Sequence, residues 1–379
     1  MKIALDIRRI SDFGVTTYIR NVVRTLGVLD HENEYFLIGM VDRLREVQEL
    51  PGNFHAVPFE PEVNPRTYFG FRKLVRQFGC DLVHVPHTFW RPSPATCPYV
   101  MTVHDLLDYM YRVNAHSEGK RLMHYYLTRY NLRNAARIFA VSNFTKKDIN
   151  RLFDVPEDRI QVVYNAIDDR FRMGHATDAD RALISERYQI NYPFLLYAGR
   201  ISPHKNVIRI IEAFSTLKTE LDKEGKYPDL KLIIIGDEVS KHPDLRRAVV
   251  KSGVQYDVRF LGFVPIEVLR ILYDTAKIFV FPSLYEGFGL PPLEAMAHGT
   301  PVVTSNTTSL PEVVGKAAVL VNPENVFEIS RALHRVLVDQ PLREKMKVAG
   351  VEQAQRYSWE ISVRRMIQAY KEAAENARH

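Results

Sequence analysis

The feature that most constrains this chain is a regular alternation of strand-like and helix-like segments from end to end. Alternation of this kind is typical of βα units, which build parallel sheets covered by helices. The predicted strands are Lys2–Ile7, Tyr35–Ile38, Leu82–Val85, Tyr99–Val103, Arg137–Val141, Gln161–Tyr164, Phe194–Ala198, Lys231–Ile235, Val258–Leu261, Ile278–Phe281, Pro301–Thr304 and Ala318–Val321. The predicted helices include Thr16–Leu29, Arg66–Phe78, Val207–Leu217, Pro265–Thr275 and Val326–Val336.

The chain length predicts two domains, because a single hydrophobic core usually stops growing well before 379 residues. We place a first α/β domain at residues 1–168, a polar linker with a short helix at 169–190, and a second α/β domain at 191–356. The amphipathic segment Trp359–Ala374 is long enough to leave the second domain, and Ser358 is its expected N-terminal cap. Open α/β domains bind ligands at the carboxyl ends of their strands, so two of them facing each other predict a cleft.

Composition indicates the general class of the protein and the compartment in which we expect it. Hydrophobic residues make up 46% and charged residues 25%, values that are ordinary for a globular protein. The sequence contains no apolar run of about 18 residues, and its N-terminus resembles a first strand rather than a signal peptide. With only Cys80 and Cys97 present, we expect no disulfide framework and a reducing, cytoplasmic location.

The positive charge is concentrated between Arg112 and Arg151. This segment holds nine basic residues against Glu118 and Asp148, a local net charge of +7 in a chain whose net charge is +6. One interpretation is a solvated helical face. The other is contact of residues 112–151 with an anionic membrane surface, peripheral to the inner face of the plasma membrane.

Two glutamates after a predicted strand point to binding of a hydroxylated ligand. Glu286 lies in a loop with Gly287 and Gly289, and Glu294 lies about one turn into the helix that follows. Glycines let backbone N–H groups approach a ligand, and a helix N-terminus favours anions. Carboxylates accept charge-assisted hydrogen bonds from vicinal hydroxyls. Acidic capping of the helix is the structural alternative.

Basic residues follow another predicted strand. Arg200 and Lys205 flank a turn that begins at Gly199. Fixed positive charges in such a turn would suit an anion such as a diphosphate leaving group. An ordinary surface turn is the alternative. In the first domain, His104 ends a strand at the edge where ligands bind, although a lone histidine is more often structural. Gly14 follows the first strand and would let the backbone approach a phosphate.

These elements, in this order and at these separations, resemble glycosyltransferase family 4, retaining enzymes of the GT-B fold (glycosyl transferases group 1). The resemblance covers nearly the whole chain and is strongest over Leu195–Pro323, where Glu286 and Glu294 match an E-x7-E element. Residues 299–303 and 310–315 match further blocks, and residues 357–359 match the start of a final helix, 357–379, that returns to the first domain. The resemblance implies two Rossmann-like domains facing across a cleft.

The resemblance also implies residue roles in the second domain. Glu286 would bind hydroxyls of the donor sugar, and Glu294 would bind the ribose hydroxyls of the nucleotide. Arg200 and Lys205 would hold the diphosphate. The backbone N–H groups of Gly287, Phe288, Gly289 and Leu290 would help them, as would Gly14 from the first domain.

Two further roles lie near the first domain. His104 would contact the donor sugar from the opposite wall of the cleft. Asn165 matches an Asn-Gly-[Ile/Val]-Asp element at the hinge, although Ala166 replaces its glycine. The loop 305–309 also lacks the glycine often found there.

The implied reaction is retaining transfer of a hexose from a UDP- or GDP-sugar to a hydroxyl of a glycan or lipid-linked acceptor. Such a reaction serves polysaccharide, lipopolysaccharide or glycolipid biosynthesis. We expect no metal and no cofactor, since the nucleotide sugar is a substrate and the only obvious Asp-x-Asp, Asp178 to Asp180, lies in the linker. Segments His84–Trp90 and Arg112–Arg137 are the candidates for acceptor binding.

Other classes of protein fit parts of this sequence pattern. A sugar-nucleotide epimerase of the same fold and a non-catalytic nucleotide-sugar binding protein stay open as alternatives. A dinucleotide oxidoreductase would need a G-x-G-x-x-G run after a strand, which the sequence lacks. Binding of nucleic acid is disfavoured, because the basic residues come without a recognisable recognition fold.

Overall fold

The computed structural model of the protein describes residues 1–10, 14–40, 50–60, 65–88, 97–111, 118–172 and 174–376. It divides into two compact units, Met1–Asn165 with Ser358–His379, and Ala166–Tyr357. Each unit is built on one parallel sheet flanked by helices, as the alternation of segments predicts. Across the described residues, every helix falls short of the length or hydrophobicity that crossing a bilayer requires.

The first unit contains a seven-stranded sheet in the order β3-β2-β1-β4-β5-β6-β7. Its strands are β1 (Lys2–Ile7), β2 (Glu34–Gly39), β3 (Phe54–Pro58), β4 (Leu82–Val85), β5 (Tyr99–Val103), β6 (Arg137–Ala140) and β7 (Ile160–Val162). Its helices are α1 (Val15–Leu29), α2 (Pro65–Gln77), α3 (Leu107–Tyr111), α4 (Glu118–Asn134) and α5 (Asn143–Phe153). The central strands are buried along their whole length, as parallel strands covered by helices must be.

The second unit contains a six-stranded sheet in the order β10-β9-β8-β11-β12-β13. Its strands are β8 (Phe194–Ala198), β9 (Lys231–Ile235), β10 (Val258–Gly262), β11 (Ile278–Phe281), β12 (Val302–Ser305) and β13 (Val319–Val321). Its helices are α6 (Asp178–Tyr188), α7 (Val207–Glu224), α8 (Pro243–Lys251), α9 (Ile266–Thr275), α10 (Leu290–Ala297), α11 (Leu310–Val314), α12 (Val326–Val338) and α13 (Gln340–Gln355).

Six predicted strands have the bounds that the structure shows, but β3 was missed. In β3 only Phe54 is buried, and the rest of the strand is partly or fully exposed, so no apolar run marks it. The segment predicted as a linker holds α6, which begins at a reciprocal cap between Thr177 and Asp180. Asp180 of the Asp-x-Asp therefore serves the start of this helix.

The last helix, α14 (Trp359–Asn376), belongs to the first unit. Ser358 caps it, since its hydroxyl accepts a hydrogen bond from the backbone N–H of Glu360 at 3.2 Å. The hydroxyl of Tyr370, a residue of α14, lies 2.7 Å from Nδ1 of the fully buried His84 in β4. Nε2 of His84 lies 2.8 Å from Oγ1 of Thr102 in β5, so hydrogen bonds as well as apolar packing attach α14 to the sheet.

This attachment can be tested with Tyr370→Phe. The substitution leaves Nδ1 of the buried His84 without the hydroxyl, and an unsatisfied buried polar group costs about 1–3 kcal/mol. We expect the free energy of unfolding of the first unit to fall by that amount. Urea denaturation followed by the fluorescence of Trp359, which lies at the start of α14, measures it.

The matched control is Tyr130→Phe, which removes the same hydroxyl from an exposed tyrosine of α4. Equal unfolding midpoints for the two variants would show that the bond from Tyr370 to His84 does not hold α14.

Candidate functional site

The candidate donor site lies at the carboxyl ends of β8 and β11. These strands pair in parallel, so the turn after β8 and the loop after β11 emerge at the same edge of the sheet. There Nζ of Lys205 donates to Oε1 of Glu286 at 2.6 Å, with side chains that are 17% and 11% exposed. The ammonium group also lies 5.2 Å from the centre of the Phe281 ring. The structure thus brings together two residues predicted from separate motifs.

Hydrogen bonds hold the turn after β8 against the loop after β11. The backbone carbonyl of His204 accepts from the N–H of Leu284 at 2.7 Å and from the hydroxyl of Ser283 at 3.0 Å. The side-chain amide of Asn206 donates to the carbonyls of Pro282 and Pro323 at 2.9 and 2.7 Å. Sequence reasoning missed Asn206. The available signal was an asparagine before a helix, a residue that tolerates the left-handed φ of +63° seen here.

The loop after Glu286 is supported by the turn between β12 and α11. Oγ of Ser309 lies 2.9 Å from the carbonyl oxygen of Glu286 and 2.8 Å from that of Phe288, so its proton is shared between them. Oγ1 of Thr308 accepts from the N–H of Glu286 at 3.3 Å. Sequence reasoning missed both hydroxyls, although it noted that loop 305–309 lacks a glycine.

A glycine is required where this loop enters α10. Gly289 has a φ of +109°, and a Cβ atom there would lie 2.6 Å from Cδ2 of Leu310. Leu290 is the first residue of α10, so the backbone of 287–290 leads into the helix N-terminus as predicted. This end of the helix presents free N–H groups, which favour an anion.

Glu294 lies within α10 and is only partly accessible to solvent. Its Oε2 accepts a hydrogen bond from the buried hydroxyl of Tyr273 at 3.1 Å. Burial of the carboxyl group raises the pKa of Glu294 to about 7, with a further contribution from the charge of Asp168. Tyr273 and Arg170 oppose that rise in pKa without cancelling it.

The turn after β8 supplies the second predicted cation. The hydroxyl of buried Tyr197 donates to the backbone carbonyl of Arg200 at 3.0 Å, while the side chain of Arg200 is exposed. Gly199 has a φ of +154° at the start of this turn. Burial and the neighbouring charge of Lys205 lower the pKa of His204 to about 4. Because His204 is therefore neutral at pH 7, Arg200 and Lys205 are the fixed charges of this turn.

In the first unit, His104 lies immediately after β5. Its Nε2 lies 2.9 Å from the carbonyl oxygen of Pro86, which can only accept, so Nε2 carries the proton. Burial lowers the pKa of His104 to about 4, so the ring is neutral at pH 7. The lone pair on Nδ1 is then available to accept a hydrogen bond from a hydroxyl group.

Gly14 precedes α1, and a Cβ atom there would meet nothing within 4 Å. The fold itself therefore does not require glycine at this position. Asn165 is buried at the end of the first unit, and its Oδ1 forms no hydrogen bond within the described part of the chain. Neither observation tests whether Gly14 or Asn165 contacts the donor, so both contacts stay predictions.

A buried group of charges at the end of β1 was not predicted. Arg8 donates to both oxygens of Asp6, at 2.9 and 2.6 Å, and Nε2 of His87 lies 3.6 Å from Oδ2 of Asp6. Burial opposes ionisation of Asp6, but the adjacent guanidinium outweighs it and holds the pKa of that carboxyl well below its usual range. In sequence this group appears only as two charges spaced two residues apart at the end of an apolar strand.

The prediction that segment 84–90 binds the acceptor is contradicted for one of its residues, His84. Within segment 84–90, His84 is fully buried and its two ring nitrogens contact Thr102 and Tyr370, so it cannot reach an acceptor. His87 is also buried, beside Asp6. Residues 89 and 90 lie outside the described residues.

Two family profiles match the two units. The profile described as "Glycosyl transferases group 1" matches residues 180–353, and the one described as "Glycosyltransferase Family 4" matches residues 14–171. An uncharacterized glycosyltransferase of Methanocaldococcus jannaschii is 30% identical over 288 residues, which make up 73% of this chain and 70% of that protein. The chain therefore belongs to the group 1 glycosyltransferases, and the predicted family is confirmed.

Other relatives have names from polysaccharide synthesis. O-antigen chain mannosyltransferase B of Escherichia coli is 38% identical over 241 residues, 63% of this chain and 61% of that protein. The serotype-specific mannosyltransferase WbdA of Escherichia coli is 33% identical over 230 residues, 59% of this chain and 27% of that protein. The matched part of this chain thus spans less than two thirds of either relative.

The fold is shared with solved glycosyltransferases. Anabaena HepE, crystallised with UDP and glucose, has a TM-score of 0.78 at 18% identity, covering 98% of this chain and all of that one. Sucrose-phosphate synthase from Thermosynechococcus elongatus has a TM-score of 0.77 at 20% identity, covering 98% of both chains. These likenesses confirm the predicted α/β, GT-B fold class.

Because the pKa of Glu294 is raised in the folded protein, we can predict how this residue makes the stability of the protein depend on pH. This carboxyl group keeps its proton up to about pH 7 in the folded protein, but it ionises near its ordinary value of 4.5 when unfolded. Its contribution to stability is therefore complete below about pH 4.5 and is lost as the pH rises through about 7. Glu294→Gln has no proton to lose, so we expect the variant to lose less stability than the parent between about pH 5 and about pH 8.

Thermal unfolding midpoints over this pH range give the measurement. Glu267→Gln, at an exposed position of α9, is the control and should follow the parent protein. If the curve for Glu294→Gln runs parallel to that of the parent, Glu294 titrates as an ordinary carboxylate.

Proposed function

We propose that this protein transfers a hexose from a UDP- or GDP-sugar to a hydroxyl of a glycan or lipid-linked acceptor, with retention of the anomeric configuration. The observation that carries the proposal is the contact between Lys205 and Glu286 at the edge of the second sheet. A cation suited to the anionic diphosphate thus lies beside a carboxylate suited to accept hydrogen bonds from neutral sugar hydroxyls, and a nucleotide sugar carries these two groups next to each other. The names of the relatives favour a mannosyl donor and O-antigen synthesis.

The donor would interrupt the ion pair between Lys205 and Glu286. The diphosphate is a second anion for Lys205, and the sugar hydroxyls are donors for the two oxygens of Glu286. Arg200, whose side chain is exposed, would join Lys205 on the diphosphate. Because a side chain left charged and unpaired in a partly buried site is costly, both partners must be satisfied by the same ligand.

In this reaction the protein has to stabilise the negative charge that develops on the diphosphate, and it does not have to supply a nucleophile of its own. The bond from the anomeric carbon to the phosphate oxygen breaks, and its electrons stay on the diphosphate. The acceptor oxygen bonds to the same face of that carbon, and its proton passes to the departing phosphate oxygen. Arg200, Lys205 and the N-terminus of α10 would stabilise the growing negative charge, so we expect neither a metal nor a cofactor to be needed for transfer.

Two residues would position the ends of the donor. Neutral His104, which belongs to the first unit, would offer Nδ1 to a sugar hydroxyl. Glu294 would bind the ribose diol, and its ionised form accepts hydrogen bonds best, so tight binding of nucleotide is expected above the pKa of about 7.

Peripheral binding to a membrane is a second part of the proposal. On α4 the residues Leu122, Tyr126 and Tyr130 recur every four positions, and all three are exposed together with Met123. Exposed apolar and aromatic residues on one helix face are suited to the interface of a bilayer. This face would let the protein work at the cytoplasmic leaflet on a lipid-linked acceptor.

The basic charge around this face is smaller than the sequence suggests. Arg129 and Arg133 both pair with Asp154, at 3.3 and 2.9 Å. Arg137 pairs with Glu372, and Lys146 with Glu157, so acidic residues from outside 112–151 offset part of the local +7. We therefore expect the apolar face to supply most of the affinity for a membrane. Lys120 and Arg121, which lie beside it, would add attraction to anionic lipids.

Replacing Glu286 tests the proposed transfer. Glu286→Ala should lower the rate of sugar transfer from the preferred donor by at least roughly a hundredfold, as loss of a group aimed at the reacting centre does. The control, Glu344→Ala, removes an exposed carboxylate from α13 and should leave transfer unchanged. Circular dichroism and melting curves confirm that both variants fold.

A thermal-shift panel of UDP, GDP, ADP and their sugars identifies the donor, because a ligand stabilises the state that it binds. Product analysis then separates the classes of protein. An altered sugar nucleotide without an acceptor product would identify an epimerase, and donor binding without release of nucleoside diphosphate would identify a silent binding protein. Transfer that survives in Glu286→Ala would contradict the assignment of Glu286.

The membrane contact is tested by sedimentation with phosphatidylglycerol vesicles at low salt. The parent protein should sediment with these vesicles, and the double variant Leu122→Ser with Tyr126→Ser should remain in the supernatant. A control double variant, Val250→Ser with Phe263→Ser, removes two exposed apolar side chains from the second unit and should still sediment. Failure of the parent protein to sediment would refute membrane binding.

A further inference from the structure

Three metal-ligating side chains meet away from the candidate donor site. Oδ1 of Asp274, in α9, lies 3.0 Å from Nδ1 of His175 and 3.0 Å from Nδ1 of His298. His175 precedes α6, and His298 follows α10, so three separate segments of the second unit supply the group. Among the described residues, this is the one set of three or more such side chains whose ligand atoms all lie within 4.8 Å of one another.

The surroundings fix two of the three side chains. Asp274 and His298 are 4% and 2% exposed, and the His298 ring stacks on Tyr273 with ring centres 5.9 Å apart. The second oxygen of Asp274 accepts a hydrogen bond from the backbone N–H of Ala176 at 2.6 Å. A carboxylate that binds a metal through one oxygen typically has its other oxygen held in this way.

The third side chain leaves the group open to solvent. His175 is 73% exposed, so an ion can enter from its side. A tetrahedral zinc ion with bonds of about 2.0–2.1 Å separates its ligand atoms by about 3.3 Å, close to the two separations of 3.0 Å seen here. Two imidazoles and one carboxylate with an open fourth position form a donor set that suits zinc.

We propose that His175, Asp274 and His298 bind a zinc-class divalent cation through Nδ1, Oδ1 and Nδ1, with water as the fourth ligand. On binding, the lone pair of each Nδ1 goes to the ion, and the single ring proton of each neutral histidine is carried on Nε2. It fastens the segment before α6 to α9 and to the end of α10. The site goes beyond the proposed transfer, which we expect to need no metal, and none of its residues belongs to the predicted donor site.

The experiment uses the full chain without an affinity tag, stripped of metal by a chelating resin. Co²⁺ is added as a spectroscopic probe, because bound tetrahedral Co²⁺ absorbs visible light strongly and aqueous Co²⁺ does not. We expect a visible band that saturates at one Co²⁺ per chain and disappears when one equivalent of Zn²⁺ is added.

His175→Ala removes one ligand at an exposed position, so folding should survive, and we expect affinity to fall at least about tenfold. The matched control is His334→Ala, because within the described part of the chain His334 pairs with a single carboxylate, that of Glu224 at 3.0 Å. It should bind Co²⁺ like the parent protein.

Two outcomes would overturn the proposal: no saturable band in the parent protein, or equal affinity in the parent and in His175→Ala. Sugar transfer measured with and without chelator is recorded separately. Normal sugar transfer by protein treated with chelator agrees with both the proposed transfer and the proposed cation site. Because Co²⁺ binding and sugar transfer are measured independently, failure of one proposal can be told apart from failure of the other.

Discussion

The parallel pairing of β8 with β11 is the constraint on which the candidate donor site depends. It brings together two segments that lie about 80 residues apart in sequence, as the separation of Lys205 and Glu286 shows. The side chain of Asn206 then bonds to the carbonyl oxygens of both Pro282 and Pro323, which fixes the turn against its neighbours. Without that anchorage the turn and the loop would be held together mainly by the ion pair, and ordering its two long side chains costs conformational entropy.

Several of the side chains that support the site form their hydrogen bonds with backbone atoms. Ser309 and Thr308 contact the main chain of the loop that bears Glu286, and Tyr197 contacts the main chain at Arg200. This arrangement leaves the charged ends of the side chains available for a ligand. Thr308 has a φ of +60°, in the left-handed region that favours glycine, and the hydroxyl groups of Thr308 and Ser309 hold the N–H and carbonyl groups of the loop beside it.

Much of the fold could be predicted from the sequence, because buried parallel strands such as Ile278–Phe281 are short runs of apolar residues between polar turns. Strand β3 could not, since an edge strand with one buried residue has no such run. The motifs identified the two glutamates and the two cations of the candidate site. They could not identify Asn206, Ser309 or Tyr273, whose importance comes from contacts with residues far away in sequence. The same limit applies to His87 beside Asp6, and to the histidines beside Asp274.

The position of α14 has a consequence for how the protein is made. The first unit takes its last helix from residues that a ribosome synthesises only after the whole second unit. Until Tyr370 emerges, His84 lies in an apolar sheet without the hydroxyl that it contacts in the finished protein. The nascent first unit must therefore persist incomplete while the second unit, whose chain is continuous, has every residue it needs to fold. The first unit, although its synthesis begins first, can therefore be completed only after the second unit has been synthesised.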